Sequence, residues 1–291
     1  MRIAGLARGV GVPAADFAGR VAEIHARAAL LKLADDALIS LLGGELGRQP
    51  RGISLDLPED ISLLNLLYAN AELAMRGGVI RFADSALMID LRKTQEWRCG
   101  IDRLDFDYRN PATARAYRIA RLALEHDGRA QGFREIAGER LDRLNAAIHD
   151  GDLASSERAI GDLVGLGEGK TPAGDDYLVG ICAAIWSCSA ARAFAAVLGP
   201  KIIALAARTG DLSSLYLREA AHGEVSERLA DVAAGICAGG SDDVFGNAVK
   251  KALAVGHSSG AAGILGLLKG YAACAQAPFQ ASADSVLMPA F

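Results

Sequence analysis

The chain has 291 residues, a formal net charge of −4, and a composition that is 51% hydrophobic and 23% charged. This length favours about two domains, and the apolar content excludes a disordered chain because it can supply a large core. No run of lysine and arginine is longer than a pair, which excludes the basic surface typical of a nucleic-acid-binding protein.

The first part of the chain predicts a small N-terminal α/β domain over residues 1–108. Residues 13–28 have the apolar spacing of a helix, whereas short apolar runs between turn residues are typical of strands. The predicted strands cover residues 37–42, 52–57, 78–82 and 86–91. We expect the last two to pair as a hairpin across residues 83–85, while residues 63–75 fit either a helix or a strand.

After Asn110-Pro111 the sequence changes to long segments with apolar residues at i, i+3 and i+4, which predict a helical domain over residues 109–291. Ser155 or Ser156 is the expected cap of the third helix. The predicted helices cover residues 112–126, 134–149, 155–164, 174–198, 201–207, 213–221, 225–238, 242–255 and 259–274. The expected fold class is α+β, with a small β-containing N-terminal domain followed by a mainly α-helical C-terminal domain.

Cysteine usage and the lengths of the apolar runs predict a cytoplasmic protein with no membrane segment. The five cysteines include no C-x-x-C pair, and no signal peptide is recognised, so we expect a reducing compartment. The two longest uncharged runs, residues 177–191 and 252–268, are shorter than the roughly 18 residues of a convincing membrane span.

The segment GLGEGKTPAGDD, residues 165–176, contains the GKT that ends a nucleotide-binding P-loop. The P-loop pattern needs a leading glycine where this chain has Val164, and it needs a strand where the preceding sequence is helical. Pro172 also disfavours the helical conformation at Thr171, where a P-loop helix should already have started. The sequence therefore argues against a P-loop.

The same segment fits a different kind of anion site. Three glycines within five residues let the backbone approach a ligand, and the helix predicted to follow begins with amides that have no internal partner. Asp175 and Asp176 would repel an anion, so they are expected to cap the helix, orient an amide or amino group, or hold a bridging cation. The alternative is a plain helix–helix link in which glycine closes one helix and proline starts the next.

Two later segments place small hydroxyl residues at predicted helix starts. They are TGDLSS, residues 209–214, and GHSSG, residues 256–260. Each alone is typical of an ordinary helix N-cap, but three such helix starts in one domain can converge on one small polar ligand.

These three segments together resemble a known family. GLGEGKTPAGDDYLVG is similar to the signature G-L-G-x-G-x-T-P-x-G-D-D-[FY]-L-x-G of the oxamate carbamoyltransferase subunit AllH-like family, and TGDLSS and GHSSG are similar to its later segments. Lys170 lies outside that signature, and the residues after Gly260 depart from it, which puts an acidic role there in doubt.

The resemblance implies a cytoplasmic subunit in ureide or nitrogen catabolism that acts with other subunits of a carbamoyl-transfer complex. The implied reaction converts oxalurate and phosphate to oxamate and carbamoyl phosphate. A small anionic substrate such as phosphate, carbamoyl phosphate or oxamate is expected, with no cofactor, no metal, no nucleic acid and no membrane. A homo-oligomer is left open.

The candidate residues follow from the three segments. The candidate catalytic residues are Asp175, Asp176 and His257. The candidate substrate- or anion-binding residues are Gly165, Gly167, Gly169, Thr171, Gly174, Thr209, Ser213, Ser214, Ser258, Ser259 and Gly260.

Two alternatives remain beside a catalytic subunit. One is a non-catalytic ligand-binding or assembly subunit, because the sequence offers no persuasive nucleophile–base pair. The other is a metal-dependent hydrolase using Asp175 and Asp176, which is disfavoured because adjacent helical residues point about 100° apart.

Overall fold

A computed structural model describes residues 1–276 of the chain. These residues divide into two compact units, Met1–Cys99 and a second unit that begins at Gly100. The α+β prediction is confirmed, since strands occupy the first unit and helices the second.

The first unit is a nine-stranded sheet that closes on itself. The strands are β1 Arg2–Gly9, β2 Phe17–Ile24, β3 Ala28–Leu33, β4 Leu38–Gly43, β5 Gly52–Leu55, β6 Glu72–Arg76, β7 Val79–Phe82, β8 Met88–Asp90 and β9 Gln95–Trp97. Their order is β5-β4-β3-β2-β6-β7-β8-β1-β9, and a further antiparallel pairing of β1 with β5 closes the sheet into a barrel. Its interior is filled by aliphatic side chains such as Leu31, Leu41, Ile53, Ile80 and Ile89.

The strands predicted in this unit are confirmed, and the predicted helix is wrong. β7 and β8 pair antiparallel, with Val79 opposite Asp90, which confirms the expected hairpin. The segment predicted as helix over residues 13–28 instead contains β2, whose Gly19 pairs with Leu33 of β3. A Cβ at Gly19 would lie 2.4 Å from the Lys32 carbonyl oxygen. Pairing with β3 and β6 therefore overrides the weak helical spacing of this segment, so the unit is not the expected mixture of helix and strand.

The second unit is built from helices. They are α1 Pro111–Asp127, α2 Gln131–His149, α3 Leu153–Gly161, α4 Ala173–Trp186, α5 Arg192–Leu205, α6 Asp211–Ala221, α7 Glu227–Ala238, α8 Asp242–Leu253 and α9 Ser259–Gln276. Side-chain caps explain several of their starts, because Asn110, Asp152, Ser226 and Ser241 each accept a hydrogen bond from an amide in the first turn.

Two helix predictions in this unit are corrected. α3 is capped by Asp152 rather than by Ser155 or Ser156. The helices predicted over residues 174–198 and 201–207 are divided elsewhere: α4 ends at Trp186, and α5 runs from Arg192 to Leu205 through the predicted gap, with Pro200 inside it. The break is stabilised by Ser187, whose Oγ donates to the Ala183 carbonyl at 2.6 Å, as serine does when it competes with helical hydrogen bonds.

Helices α4 and α9 make the most extensive contact between helices in this unit, and they meet through glycines. A Cβ at Gly180 would lie 2.0 Å from the Gly263 carbonyl oxygen, and one at Gly266 would lie 2.0 Å from the Tyr177 carbonyl oxygen. The backbones of the two helices can meet only because these positions carry no side chain. This contact fixes the start of α4 relative to the start of α9.

One helical stretch among residues 1–276, Ser189–Arg208, is long and apolar enough to cross a membrane by length and composition alone. One third of its most apolar window is buried within the protein. Its Lys201 Nζ pairs with Glu157 of α3, and Arg192 donates to the carbonyls of Trp186 and Leu104. The stretch thus binds its own helical unit through its charged side chains as well as its apolar ones.

Candidate functional site

The GLGEGKTPAGDD segment forms the loop between α3 and the start of α4. Gly165, Gly167 and Gly169 have φ values of 74°, 118° and 90°, a region that side-chain-bearing residues rarely adopt. All three glycines are exposed, whereas Pro172 is buried at the start of α4. The glycines therefore serve an unusual backbone path, as the sequence suggested.

Asp175 holds this loop in place through hydrogen bonds. Its side chain is 1% exposed, and its Oδ1 accepts a hydrogen bond from the Gly165 amide at 2.8 Å. Its Oδ2 accepts hydrogen bonds from Thr209 Oγ1 at 2.6 Å and from Ser213 Oγ at 2.7 Å. One buried carboxylate thus joins the glycine loop to the start of α6.

Gly174 holds α4 against the preceding turn. A Cβ at this position would lie 2.2 Å from the Leu163 carbonyl oxygen, so no larger residue fits without moving the backbone. The Gly174 amide donates to the Leu166 carbonyl at 2.8 Å. This amide is therefore already used inside the protein rather than directed at a ligand.

Asp176 belongs to a second cluster, on the side of α4 that meets α9. Thr171 Oγ1 and Ser259 Oγ lie 2.9 Å apart, joining the glycine loop to the first residue of α9. Both hydroxyls lie close enough to the Asp176 carboxyl group to lower its pKa. Asp176 Oδ2 is nonetheless buried and has no hydrogen-bond partner among the described residues. We call Thr171, Asp176 and Ser259 the hydroxyl–carboxyl cluster.

The environment of Asp176 changes its acidity. Burial raises the pKa of this carboxyl to about 7, and the neighbouring charge of Asp175 acts in the same direction. Hydrogen bonds from Ser259 and Thr171 oppose the increase. At neutral pH the group is therefore poised between a neutral acid, which donates a hydrogen bond, and a carboxylate, which accepts one.

The other predicted residues lie around these two clusters rather than inside them. His257 is exposed and takes part in neither hydrogen-bond network of the described residues; its carbonyl accepts from Arg129 Nη1 at 3.3 Å. Ser214 Oγ accepts from Arg218 at 3.3 Å. Ser258 begins the first turn of α9 through its carbonyl, which accepts from the Ala262 amide at 2.9 Å.

Gly260 has a packing role in this structure. A Cβ here would lie 2.0 Å from the Ala252 carbonyl oxygen, so the residue lets α9 pass close to the end of α8. Within residues 1–276, no three or more His, Cys, Asp and Glu side chains come together in a way that suits a metal ion.

Local sequence did not reveal which aspartate has which partners. Both follow the same glycine, yet α4 turns Asp175 toward Thr209 and Ser213 and Asp176 toward Ser259. The signal that separates them is the rotation of about 100° per helical residue, combined with the positions of the two other hydroxyl-bearing helix starts. The link between Thr171 and Ser259 spans 88 residues and becomes visible only in the fold.

The raised pKa of Asp176 predicts a pH-dependent gain in stability for Asp176→Asn. In the unfolded chain Asp176 loses its proton near pH 4, whereas in the folded protein it keeps the proton up to about pH 7. The free energy of unfolding of the wild type therefore falls as pH rises from about 4 to about 7. Asparagine does not titrate, so the variant does not lose stability over this pH range. We expect the variant to exceed the wild type by about 4 kcal/mol at pH 8 and to match it closely near pH 4, since the pKa is raised from 3.8 to about 7 and one pKa unit corresponds to about 1.4 kcal/mol.

Urea denaturation at several pH values measures this difference, with Asp162→Asn as a control on an exposed carboxylate in the preceding turn. A difference between Asp176→Asn and wild type that is the same at pH 4 and pH 8 would contradict the assignment.

Comparison with protein families gives a match to the part of the chain that carries this site. Neither a curated protein nor a solved structure matches the chain significantly. Residues 163–271 match the family model described as oxamate carbamoyltransferase subunit AllH. The matched range includes the glycine loop, Asp175 with its hydrogen-bond partners and the hydroxyl–carboxyl cluster. The match confirms the predicted resemblance of this region to the oxamate carbamoyltransferase subunit AllH family.

Proposed function

We propose that this chain is a subunit of an oxamate carbamoyltransferase system and binds a small anionic substrate at the hydroxyl–carboxyl cluster. The family description supports a role in such a system. The observation that carries the proposal of a binding site is Asp176 Oδ2, a buried oxygen that has no hydrogen-bond partner among the described residues. It belongs to a carboxyl group near the Thr171–Ser259 hydroxyl pair, which joins different parts of the chain. A buried polar atom without a partner is costly unless a ligand or another group satisfies it.

The raised pKa of Asp176 lowers the electrostatic repulsion that two neighbouring aspartates would exert on a bound anion. The charge of Asp175 is already balanced by three hydrogen-bond donors. Asp176, with a pKa of about 7, is neutral in a large fraction of molecules at neutral pH. A neutral carboxyl group donates a hydrogen bond to an anion instead of repelling it, as do the hydroxyls of Thr171 and Ser259.

The remaining donors near this cluster belong to the glycine loop. Gly167 and Gly169 are exposed, and their lack of a side chain lets a ligand approach the backbone. We assign them, together with Ser258, to binding of the second end of the substrate. The Gly174 and Gly165 amides are left out because both donate within the protein.

The chemistry expected is phosphorolysis of oxalurate. An oxygen of hydrogen phosphate attacks the carbamoyl carbon, and the bond from that carbon to the oxamate nitrogen breaks. The proton of the phosphate passes to the leaving nitrogen, giving carbamoyl phosphate and oxamate. In this reaction Asp176 is the residue suited to carry the proton, because a pKa near the working pH serves both uptake and release. Asp175 acts as a positioning residue that holds the loop.

The alternative is a non-catalytic ligand-binding or assembly subunit. Two observations favour it: His257 is exposed, and Asp175 accepts three hydrogen bonds within the protein. Of the three predicted catalytic residues, Asp176 is then the one left to carry a proton. In this case partner subunits supply the reacting groups. The cytoplasmic location, the role in ureide catabolism and the association with other subunits belong to the proposal in both forms.

Calorimetric titration of phosphate, carbamoyl phosphate and oxamate tests the binding site, with the chain alone and with its partner subunits. We expect Thr171→Val and Ser259→Ala each to weaken binding about tenfold, because each removes one hydrogen bond to a charged ligand, worth roughly 1.5–3 kcal/mol. Ser214→Ala is the matched control, since this hydroxyl binds Arg218 outside the cluster. The proposal would be overturned if none of the three ligands binds either the chain alone or the chain with its partner subunits.

Activity of the assembled complex separates the two forms of the proposal. A catalytic role predicts that Asp176→Ala abolishes formation of carbamoyl phosphate while the complex still assembles. Retained activity with intact assembly would favour the assembly subunit.

A further inference from the structure

A cavity lies in the helical unit between α1, α2 and α9, and it shares no lining residue with the glycine loop. Its volume is about 280 Å³. This is close to the lower end of the range of small-molecule pockets, roughly 300–1,000 Å³. None of the residues predicted from sequence as site residues lines it.

The cavity has an apolar wall and one tyrosine whose hydroxyl is hydrogen-bonded within the protein. Leu141 of α2 and Leu265 and Leu268 of α9 supply the apolar wall. Tyr117 of α1 also lines it, and its hydroxyl donates to the Leu268 carbonyl at 3.1 Å. The hydroxyl is therefore satisfied by the protein, and the ring and the leucines offer an apolar surface to a ligand.

The charged lining of the cavity has an excess of positive charge. Arg121, Arg134 and Lys269 face Glu125 and Asp142. Two of the cations are paired, because Arg121 lies 2.7 Å from Glu125 and Lys269 lies 3.7 Å from Asp142. Both acidic groups are thus engaged by these two cations.

Arg134 supplies the unbalanced charge. Within residues 1–276 its guanidinium makes no ion pair and no side-chain hydrogen bond, although it lines the cavity. Its charge reaches the inside of the cavity: burial raises the pKa of Tyr117, and the charges of Arg121 and Arg134 act against that increase. A planar guanidinium beside an apolar wall is suited to bind a carboxylate through two parallel hydrogen bonds.

We propose that this cavity binds a small organic carboxylate, with its anionic end on Arg134 and its apolar body against Tyr117, Leu141 and Leu265. The size fits a ligand about as large as a substituted benzoate. The site goes beyond the proposed function, because it takes an apolar carboxylate rather than the small polar anions expected at the glycine loop.

Benzoate is the probe, and titration of the full chain followed by calorimetry and protein NMR is the measurement. We expect millimolar or tighter binding of benzoate and no detectable binding of benzamide, its neutral counterpart. Arg134→Gln should lower the affinity for benzoate at least tenfold. Arg118→Gln, which alters an exposed arginine of α1 outside the cavity lining, should leave it unchanged.

A second variant blocks the cavity without endangering the fold. Gly138 of α2 lines the cavity, and a Cβ there would meet nothing within 4 Å, so Gly138→Leu fills the space and replaces a poor helix former. We expect this variant to fold and to lose benzoate binding. Wild-type binding that is undetectable, equal for benzamide, or unchanged in both Arg134→Gln and Gly138→Leu would overturn the proposal.

The result is independent of the loop site. Asp176→Asn should bind benzoate like the wild type. If the wild-type chain binds benzoate but not oxamate, the result counts against the proposed function alone. If it binds oxamate but not benzoate, the result counts against this cavity alone.

Discussion

Replacement of Asp175 by alanine should destabilise the helical unit by about 3–5 kcal/mol. The substitution removes the acceptor of three hydrogen bonds and leaves the Gly165 amide and the hydroxyls of Thr209 and Ser213 to find other partners. Hydrogen bonds to a charged group contribute roughly 1.5–3 kcal/mol each, and their loss is only partly additive when one buried group is removed. Urea denaturation followed by helical circular dichroism measures the change.

Asp175→Asn provides a graded comparison for this effect. The amide keeps one acceptor oxygen, and a hydroxyl can rotate to accept from its NH₂ group, so we expect a smaller loss of about 1–2 kcal/mol. A loss below about 1 kcal/mol for the alanine variant would show that Asp175 does not hold the loop, and it would free this residue for a role in binding.

Gly266→Ala should have an effect of similar size through packing. The added Cβ would lie 2.0 Å from the Tyr177 carbonyl oxygen and 2.9 Å from its carbonyl carbon, and α4 and α9 must separate to accept it. Overpacking costs about 1–3 kcal/mol where side chains can adjust and more where backbone must move. We therefore expect a loss of at least about 3 kcal/mol by thermal and urea denaturation.

The matched control is Gly246→Ala in α8. A Cβ at Gly246 would meet nothing within 4 Å, and alanine is a better helix former than glycine by about 1 kcal/mol. We expect the control to be as stable as the wild type or more so. A Gly266→Ala variant that behaves like the control would contradict the close contact of α4 with α9.

The helical unit was easier to predict than the barrel, for a physical reason. Helices such as α1 and α2 are defined by contacts three and four residues apart, so their apolar spacing is present in the local sequence. The strand β2 depends on pairing with β3 and β6, and its apolar residues also fit one face of a helix. Pairing between distant segments leaves little local signal, which explains the wrong helix over residues 13–28.

The candidate site was predictable in its residue types but not in its division of roles. The sequence placed hydroxyls and glycines at three helix starts, and the fold brings Thr209 and Ser213 to Asp175, and Ser259 to Asp176. The break of the predicted helix at Trp186 was missed because no proline or glycine lies between Gly180 and Gly199 to mark it. The position of His257 on the surface had no counterpart in the local sequence.

The most direct test of the binding site is the number of protons taken up when oxamate binds. Oxamate is the suitable probe because it does not titrate near pH 7, in contrast to phosphate. Calorimetry at pH 7.5 in buffers of different ionisation enthalpy gives this number. An anion held by the neutral form of Asp176 raises the pKa of that group further, so we expect uptake of about half a proton or more.

Two further results follow from the same linkage. Above pH 7.5 the affinity of the wild type for oxamate should fall toward about tenfold per pH unit, since each bound anion then requires one proton. Asp176→Asn, whose amide donates without a proton from solvent, should bind oxamate with no proton uptake and little dependence on pH. Equal proton uptake by the wild type and Asp176→Asn, or pH-independent binding by the wild type, would contradict the account.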